Sequence, residues 1–583
     1  MESDRNWEEL RAPLRSTRWL SVCQEEMHLS AEFPEHTRVR LMMGDTDAIK
    51  SYVFETSALP EIRGGSQILT SLEEQIRQIF RQKLGNDDKY LIYCGGGGFL
   101  AVVPDDQADE IKKRIERLYY ERTTLATITI IYTEPVEYGA LSAGLPTGNP
   151  IVDLDKLQAR SLAAELMASH FDVFSNRRSE RKHFGEWVSK LVALMQQTKR
   201  QKTIAPFVEA LPIHRRCDAC GKRPSAHYDE LRGEEICFIC WQKRQQGRHE
   251  RHDLIQNFND WLRKHGNSEP FLKPAADLPE MIAGEGRIGL LYADGNNMGE
   301  LLQQARSPRD YRHFSQTLSS VMRDVVYGSI TECVRPLHVG QSNSARFEIV
   351  AIGGDDAILI LPLSCAWNVA AELVRRFEED ERIKNLKSEF NDSGRRPVCL
   401  TMSAGIAMAD VKYPIGFLRN LAEGLLKEAK RWARKTQTGS LCHLWLRSPV
   451  ISEDARSLVR SLYHKKIGAC LCSLTARPYT WEEAKHLHSL AKQLSQLPKS
   501  QRRALAESLE KGVLVSVNYA LYQSARHPRY QLSALFGQLG ELVKKRLAAT
   551  TQVNWFWAEE DAAGSRWQTA LLDALELVEM GAC

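Results

Sequence analysis

At 583 residues, 43% hydrophobic and 26% charged, the chain is too long for one core and has the composition of an ordinary globular protein; roughly 150 residues per domain would make about four. A formal net charge of +4 permits nucleic-acid contact without arguing for it, no apolar run approaches the roughly 18 residues of a membrane span, and the opening MESDRNWEELRAPLRSTRWL lacks the apolar core of a secretory signal. Thirteen cysteines, only four of them closely spaced, fit a reducing cytoplasm and one metal site better than a disulfide framework.

Residues 1–34 read as a polar N-terminal segment, with Trp7 and Trp19 as docking candidates. Over 35–145 the pattern predicts a strand at Arg38–Met43, a turn through Gly44-Asp45-Thr46-Asp47 into a helix ending at Phe54, and a helix over 66–83. Strands follow at Tyr90–Cys94 and Phe99–Val103 around the glycines 95–98, then a helix near 106–121 and a β-branched strand at Leu125–Tyr132. The order β-α-β-β-α-β is that of a ferredoxin-like unit. Residues 146–275 read as mostly helical and charged. The order then repeats over 276–450: a strand at Arg287–Ala293, a helical region from Asp294-Gly295-Asn296-Asn297 to about 336, strands at Phe347–Ile352 and Ala357–Leu361, a helix at 364–380, a strand at Val398–Ala409, a basic amphipathic helix at 415–435 and a strand at 440–446. Residues 451–583 read as helices throughout, including 482–495 and 501–512, with a Trp-rich end (Trp555, Trp557, Trp567) expected to dock other subunits. The fold class expected is α+β multidomain: two ferredoxin-like domains, a metal-bearing helical insertion and a C-terminal helical domain.

Cys217-x2-Cys220 and Cys237-x2-Cys240, 16 residues apart, have the spacing of a zinc ribbon. Four thiolates close a tetrahedral shell and leave no position for water, so the Zn²⁺ would be structural. His214 and His227 lie nearby and could replace one ligand, though surface histidines would look the same.

Function is carried by Glu348-Ile-Val-Ala-Ile-Gly-Gly-Asp-Asp-Ala-Ile-Leu-Ile-Leu361. Apolar strands flank a tight turn; Gly353 and Gly354 let a phosphate approach the backbone, and Asp355 and Asp356 project from its tip. Asp294 ends the strand expected to lie alongside. Carboxylates gathered so closely repel one another unless a hard divalent cation, Mg²⁺ or Mn²⁺, sits between them, and two such ions would promote attack by a 3′-hydroxyl with loss of pyrophosphate. A plain polar hairpin has the same turn; Asp294-Gly295 in the right place and the basic helix with Lys427, Lys430, Arg431, Arg434 and Lys435 favour the functional reading. Lys430 is the expected triphosphate contact, and the other charges read as a solvated face.

Taken in order, GDTDAIKSYVF and LPEIRGGSQIL (44–69), LIYCGGGGFLAVVP (91–104), the four cysteines, LLYADGNNMGELL (290–302), AIGGDDAILILP (351–362) and SAGIAMADVKYPIGFLRNLAEGLLKEAKRWAR (403–434) resemble the large polymerase-cyclase subunit of type III CRISPR effector complexes. The resemblance implies two palm domains, a zinc-bearing insertion and a C-terminal helical domain. It also implies conversion of ATP to cyclic oligoadenylates when other effector subunits and the CRISPR RNA engage target RNA. Asp294, Asp355 and Asp356 match the catalytic metal ligands. Ser66, with Gly65 beside it, matches the nucleotide contact of the first palm. Many members carry an N-terminal His-Asp nuclease domain; about 34 residues before the first palm are too few for one, and His252-Asp253 reads as surface, so DNA cleavage is not expected.

The two palms look unequal. The first has Cys94-Gly95-Gly96-Gly97-Gly98-Phe99 where the second has its acidic turn, and Asp45 and Asp47 alone make a poor two-metal site. The expectation is one catalytic palm, with Gly353, Gly354 and Lys430 on the ATP that is attacked, and one nucleotide-holding palm, with Gly97 and Ser66, facing it. The motifs leave open ring size, transfer of AMP to S-adenosylmethionine instead, a stand-alone diguanylate-cyclase-like enzyme, and a non-enzymatic scaffold.

Overall fold

The computed structural model describes residues 37–85, 90–141, 145, 184–202, 210–249, 251–266, 272–305, 307–335, 337–339, 342–390, 398–448, 450, 454–547, 553–561 and 565–583. Trp7 and Trp19 lie outside these residues, as do the side chains of His252 and Asp253.

The first unit runs β1 (Arg38–Thr46), α1 (Ile49–Val53), α2 (Leu59–Leu84), β2 (Leu91–Gly95), β3 (Gly98–Pro104), α3 (Ala108–Thr123) and β4 (Ile128–Tyr132). Its antiparallel sheet has the order β2-β3-β1-β4, as the ferredoxin-like reading requires. Strand alternation sends Met42, Phe99, Ala101 and Val103 to one face, against Leu72, Ile76 and Phe80 of α2 and Ile111 and Ile115 of α3. Val39, Leu41, Leu100 and Val102 go to the other face. That face is covered by Trp187 and Leu191 of α4 (Phe184–Gln201).

Between the units, β5 (His227–Asp229) and β6 (Glu234–Ile236) form a small hairpin, followed by α5 (Phe238–His249) and α6 (Arg251–Lys264). Helix α2 is longer than the 66–83 expected. Pro60 occupies its first turn, where the missing N–H costs nothing, and Gly64-Gly65 lie inside it. Glycines disfavour a helix interior, but here they let α5 cross in contact. A Cβ at Gly64 would stand 1.8 Å from the Lys243 carbonyl oxygen, and one at Gly247 would stand 1.9 Å from that of Pro60.

The second unit contains β7 (Arg287–Asn296), α7 (Pro308–Cys333), β8 (Glu348–Ile352), β9 (Asp356–Pro362), α8 (Leu363–Glu379), β10 (Thr401–Asp410), α9 (Ile415–Thr436) and β11 (Ser440–Trp445). The sheet order is β8-β9-β7-β10-β11, extended by the two-residue strand Tyr479–Thr480. The helical region expected to 336 is broken. After the short helix Met298–Leu302, Ser307 starts α7 with a capping box closed by Asp310.

The C-terminal region is largely helical and, besides Tyr479–Thr480, departs from the expectation of helices throughout. Five short strands, His464–Ile467, Cys470–Ser473, Arg566–Gln568, Trp557–Glu559 and Val553–Asn554, form a sheet. Runs this short carry too few residues for a period-2 pattern to show. Trp557 is fully buried and donates its indole N–H to Ser516 Oγ at 2.9 Å, so it belongs to the core and not to a docking face. Arg477, buried against Asp573 (2.9 Å), donates to the His443 carbonyl at 3.1 Å and ties this region to β11. No helix among the described residues is long and apolar enough to cross a membrane.

Candidate active site

Strand β7 continues three residues past its expected end, so Asp294 is held within the ladder, directly opposite Asp356 of β9. The β8–β9 turn is closed by Gly353 N–H to the Asp356 carbonyl (2.8 Å), and Gly295 N–H bonds the Asp355 carbonyl at 2.9 Å. Three carboxylates thereby gather at one end of two central strands. Burial, then the charges of Asp294 and Asp356, push Asp355 up to about 7; burial and Asp294 raise Asp356. Carboxylates gathered at one turn are the donor set a hard divalent cation takes, and the three residues fit Mg²⁺ or Mn²⁺. On the other side of β7, Asn296 bonds Thr401 Oγ1 (2.8 Å) and Ser403 Oγ (2.9 Å) of β10, fixing the strand that carries Asp294.

Lys430, expected on the triphosphate, lies 2.8 Å from Asp294 Oδ1 and donates to the Gly295 carbonyl at 3.0 Å. Its ammonium is therefore at the carboxylates, within one rotamer change of anything bound to them. Arg431 points elsewhere and pairs with Glu428.

The first palm copies this geometry without the acids. Asp45 of β1 is opposite Gly98, the register that Asp294 has with Asp356, so Gly97 and Gly98 stand where the second palm has Asp355 and Asp356. Lys199 of α4 lies 2.7 Å from Asp45 and donates to the Thr46 carbonyl at 3.2 Å, repeating what Lys430 does with Asp294 and Gly295. Lys202 lies 2.6 Å from Asp47, and its hydrogen bond, with those of Thr127 and Thr129, holds that carboxyl low against the opposing effect of burial. Two carboxylates thus face two ammoniums. The sequence made Asp45 and Asp47 a poor two-metal site; the structure gives both of them lysine partners from their own chain.

The palms meet hairpin to hairpin. A Cβ at Gly96 would stand 3.6 Å from both Gly353 Cα and Gly354 N. Across the seam Ser66 donates to the Val350 carbonyl, and the buried pair Arg63–Glu348 joins α2 to β8, Nε to Oε1 at 2.9 Å. Two residues expected to contact a nucleotide are buried here. Gly65 is buried in α2, where its Cβ would lie 3.4 Å from Val53 Cα and 3.7 Å from the Lys243 stem. Gly97 is buried too; its positive φ of 82° makes the turn, and its N–H donates to Glu73 Oε1 at 2.8 Å. A glycine-rich string looks alike whether it serves packing, a turn or a phosphate; only the fold separates these uses.

Sequence reasoning missed Lys50 and Glu423. Lys50 belongs to α1 of the first palm, yet its Nζ lies 3.3 Å from Glu423 Oε2 on α9 and 4.6 Å from the centre of the Tyr292 ring on β7. Three residues after Asp47, it read as one more surface charge, and its partner is 373 positions away. The spacing Arg419, Glu423, Lys427 was legible as one helix face.

The four cysteines come together as the spacing implied, with their sulfurs all within 4.8 Å of one another. Backbone N–H groups of Cys220 and Cys240 point at Cys217 and Cys237 sulfurs, each at 3.5 Å, and Arg223 Nε donates to Cys237 at 3.3 Å. Such donors stabilise thiolates, and the set fits tetrahedral zinc. His227 stacks on Trp241 at 4.5 Å, and His214 accepts from the Leu211 N–H at 3.3 Å; neither joins the cluster.

Comparison with known proteins bears on this geometry. Residues 287–438 match the family model of the Cas10/Cmr2 second palm domain. This palm resembles a Cas10/Cmr2 palm. The Cas10/Cmr2 match contains all three carboxylates, Lys50's partner Glu423 and Lys430. Over the whole chain the fold is similar to Csm1 of T. onnurineus, with a TM-score of 0.50 at 15% identity, covering 96% of this chain and 71% of that one. A Csm1–Csm4 cassette in complex with AMPPNP aligns with a TM-score of 0.49 at 15% identity, and one in complex with cA4 with 0.45 at 14%, each covering 96% of this chain and 72% of the other. At these identities the likeness is one of fold. No curated protein matches the chain.

Proposed function

We propose that the chain is the nucleotidyltransferase subunit of a type III CRISPR effector complex, switched on by target RNA and making cyclic oligoadenylates from ATP in the cytoplasm. The observation that carries this reading is the triad Asp294, Asp355 and Asp356 at one end of two central strands, in a palm that matches the Cas10/Cmr2 second palm domain. It faces a second palm of the same topology that has glycines in place of the acids.

The three carboxylates would hold two Mg²⁺ or Mn²⁺ ions, which supply Lewis-acid stabilisation of the transferring phosphate. Around them the chain's own groups position the nucleotide. Gly353 lets the Asp356 carboxylate fold against the turn, where a Cβ would stand 2.0 Å from its Oδ1, and Gly354 faces Tyr93 of the first palm, 3.6 Å from the hydroxyl to its Cβ position. Lys430, released from Asp294 as cations take over that carboxylate, turns to the triphosphate. The first palm holds the nucleotide that offers its 3′-hydroxyl, near Ser66 at the seam. That hydroxyl gives up its proton to solvent and attacks the α-phosphate; one P–O bond forms, and the bond to pyrophosphate breaks. Zn²⁺ on Cys217, Cys220, Cys237 and Cys240 is structural. Partners are the other effector subunits with the CRISPR RNA and target RNA. The test is Asp355→Asn with Asp356→Asn in the assembled complex: product formation from ATP should be lost while target-RNA binding is unchanged. Loss of both together would assign these residues to assembly.

A further inference from the structure

The cations around the carboxylate triad do not all come from the palm that carries it. On α9, Arg419, Glu423 and Lys427 recur at four-residue spacing, which stacks them on one face. Glu423 sits among three basic groups: Lys427 at 3.2 Å, Lys50 at 3.3 Å and Arg419 at 3.7 Å. One carboxylate cannot neutralise three cations, so this wall carries a net positive charge beside three acids. Lys50 is the member that reaches it from the other palm. Its Nζ lies over Tyr292, which is two residues before Asp294 and on the same face of β7. Its side chain is 36% exposed, so the ammonium is open to a ligand. Tyr292 pairs with Ile358, two residues beyond Asp356 on β9, as Asp294 pairs with Asp356, so Lys50 stands beside the strand ends that carry the acids. The two lysines flank the acidic turn from opposite palms.

We propose that Lys50 of the first palm is a substrate-binding residue of the second, exchanging Glu423 for the β- and γ-phosphates of the ATP held at the carboxylate triad. A triphosphate whose α-phosphate lies at the triad must extend its terminal phosphates toward cations, and the wall on α9 with Lys50 is the cationic surface adjoining Asp356. Glu423 then holds Lys50 in place while no nucleotide is bound. The active centre is composite: separating the palms would leave the metal ligands intact and remove one phosphate contact.

The inference rests on the proposed function, and the experiment separates the two. Binding of a non-hydrolysable ATP analogue and of AMP, each with Mg²⁺, is measured on the assembled complex for wild type, Lys50→Met and Lys50→Arg. Loss of one charge-assisted phosphate contact should weaken the analogue about tenfold or more. AMP, which has no β- or γ-phosphate, should bind as before, and the arginine variant should restore most of the loss. Analogue affinity unchanged in Lys50→Met overturns the inference alone. Equal weakening of analogue and AMP makes Lys50 a structural residue and overturns it too. A wild-type complex that binds no analogue, or binds it equally well after Asp355→Asn with Asp356→Asn, overturns the proposed function and this inference with it.

Discussion

Asp355→Asn should make the metal-free protein more stable while destroying its chemistry. The Asp355 carboxyl is pushed up to about 7 from an ordinary 3.8 by burial and by Asp294 and Asp356. From about pH 4 to about pH 7 the unfolded chain gives up this proton while the folded chain keeps it. Stability from this group is therefore lost as pH rises, and the loss levels off above about pH 7. At ~1.4 kcal/mol per pH unit the full span is ~4 kcal/mol; water at the hairpin tip screens part of it, leaving ~1–3 kcal/mol. Asparagine has the same shape and no charge, and the Gly295 N–H to residue 355 carbonyl bond is a backbone contact that survives. The assay is hydrogen exchange of β7 and β9 amides, with chelator, at several pH values. The variant should match wild type near pH 4 and exceed it by ~1–3 kcal/mol at pH 8; adding Mg²⁺ should favour wild type, which binds it, and narrow or reverse the gap. An Asn variant less stable than wild type at pH 8 without metal, or a difference independent of pH, would refute the reasoning.

Further expectations follow from the same geometry. Mg²⁺ affinity, measured by calorimetry, should rise with pH up to about 7 and then flatten, because the cation must displace the proton held on Asp355; a flat profile from pH 5 to 8 would count against this. Cys217→Ser or Cys240→Ser should release zinc and lower the melting temperature without selectively removing chemistry; metal analysis that finds no zinc in the purified protein would end that reading. Asp45→Asn should cost little activity, about tenfold at most, and act by loosening α4 through Lys199, visible as faster exchange in α4; a loss as large as that of Asp356→Asn would move catalysis to the first palm.

Much of the fold was legible because each palm alternates amphipathic helices with strands whose periods differ. Asp294, Asp355 and Asp356 could be named because a strand-turn-strand pattern leaves few places for a carboxylate at the tip. What could not be read depended on contacts distant in the chain. Lys50 meets Glu423 only after the two palms dock. Lys199 looks like a helix-end lysine until α4 covers the first sheet and brings it to Asp45. Gly65 and Gly97 read as nucleotide contacts because a glycine motif does not state what approaches it; α5 approaches the first, and Glu73 binds the second. Tryptophans signal burial but not against what, which is why Trp557 passed for an interface residue.

The most direct test of the proposed function is mass spectrometry of the products formed when the assembled complex meets ATP, Mg²⁺ and target RNA. The account predicts cyclic oligoadenylates with release of pyrophosphate, dependent on target RNA and absent with Asp355→Asn and Asp356→Asn. ATP left intact by the wild-type complex, or the same products from the double variant, would contradict it.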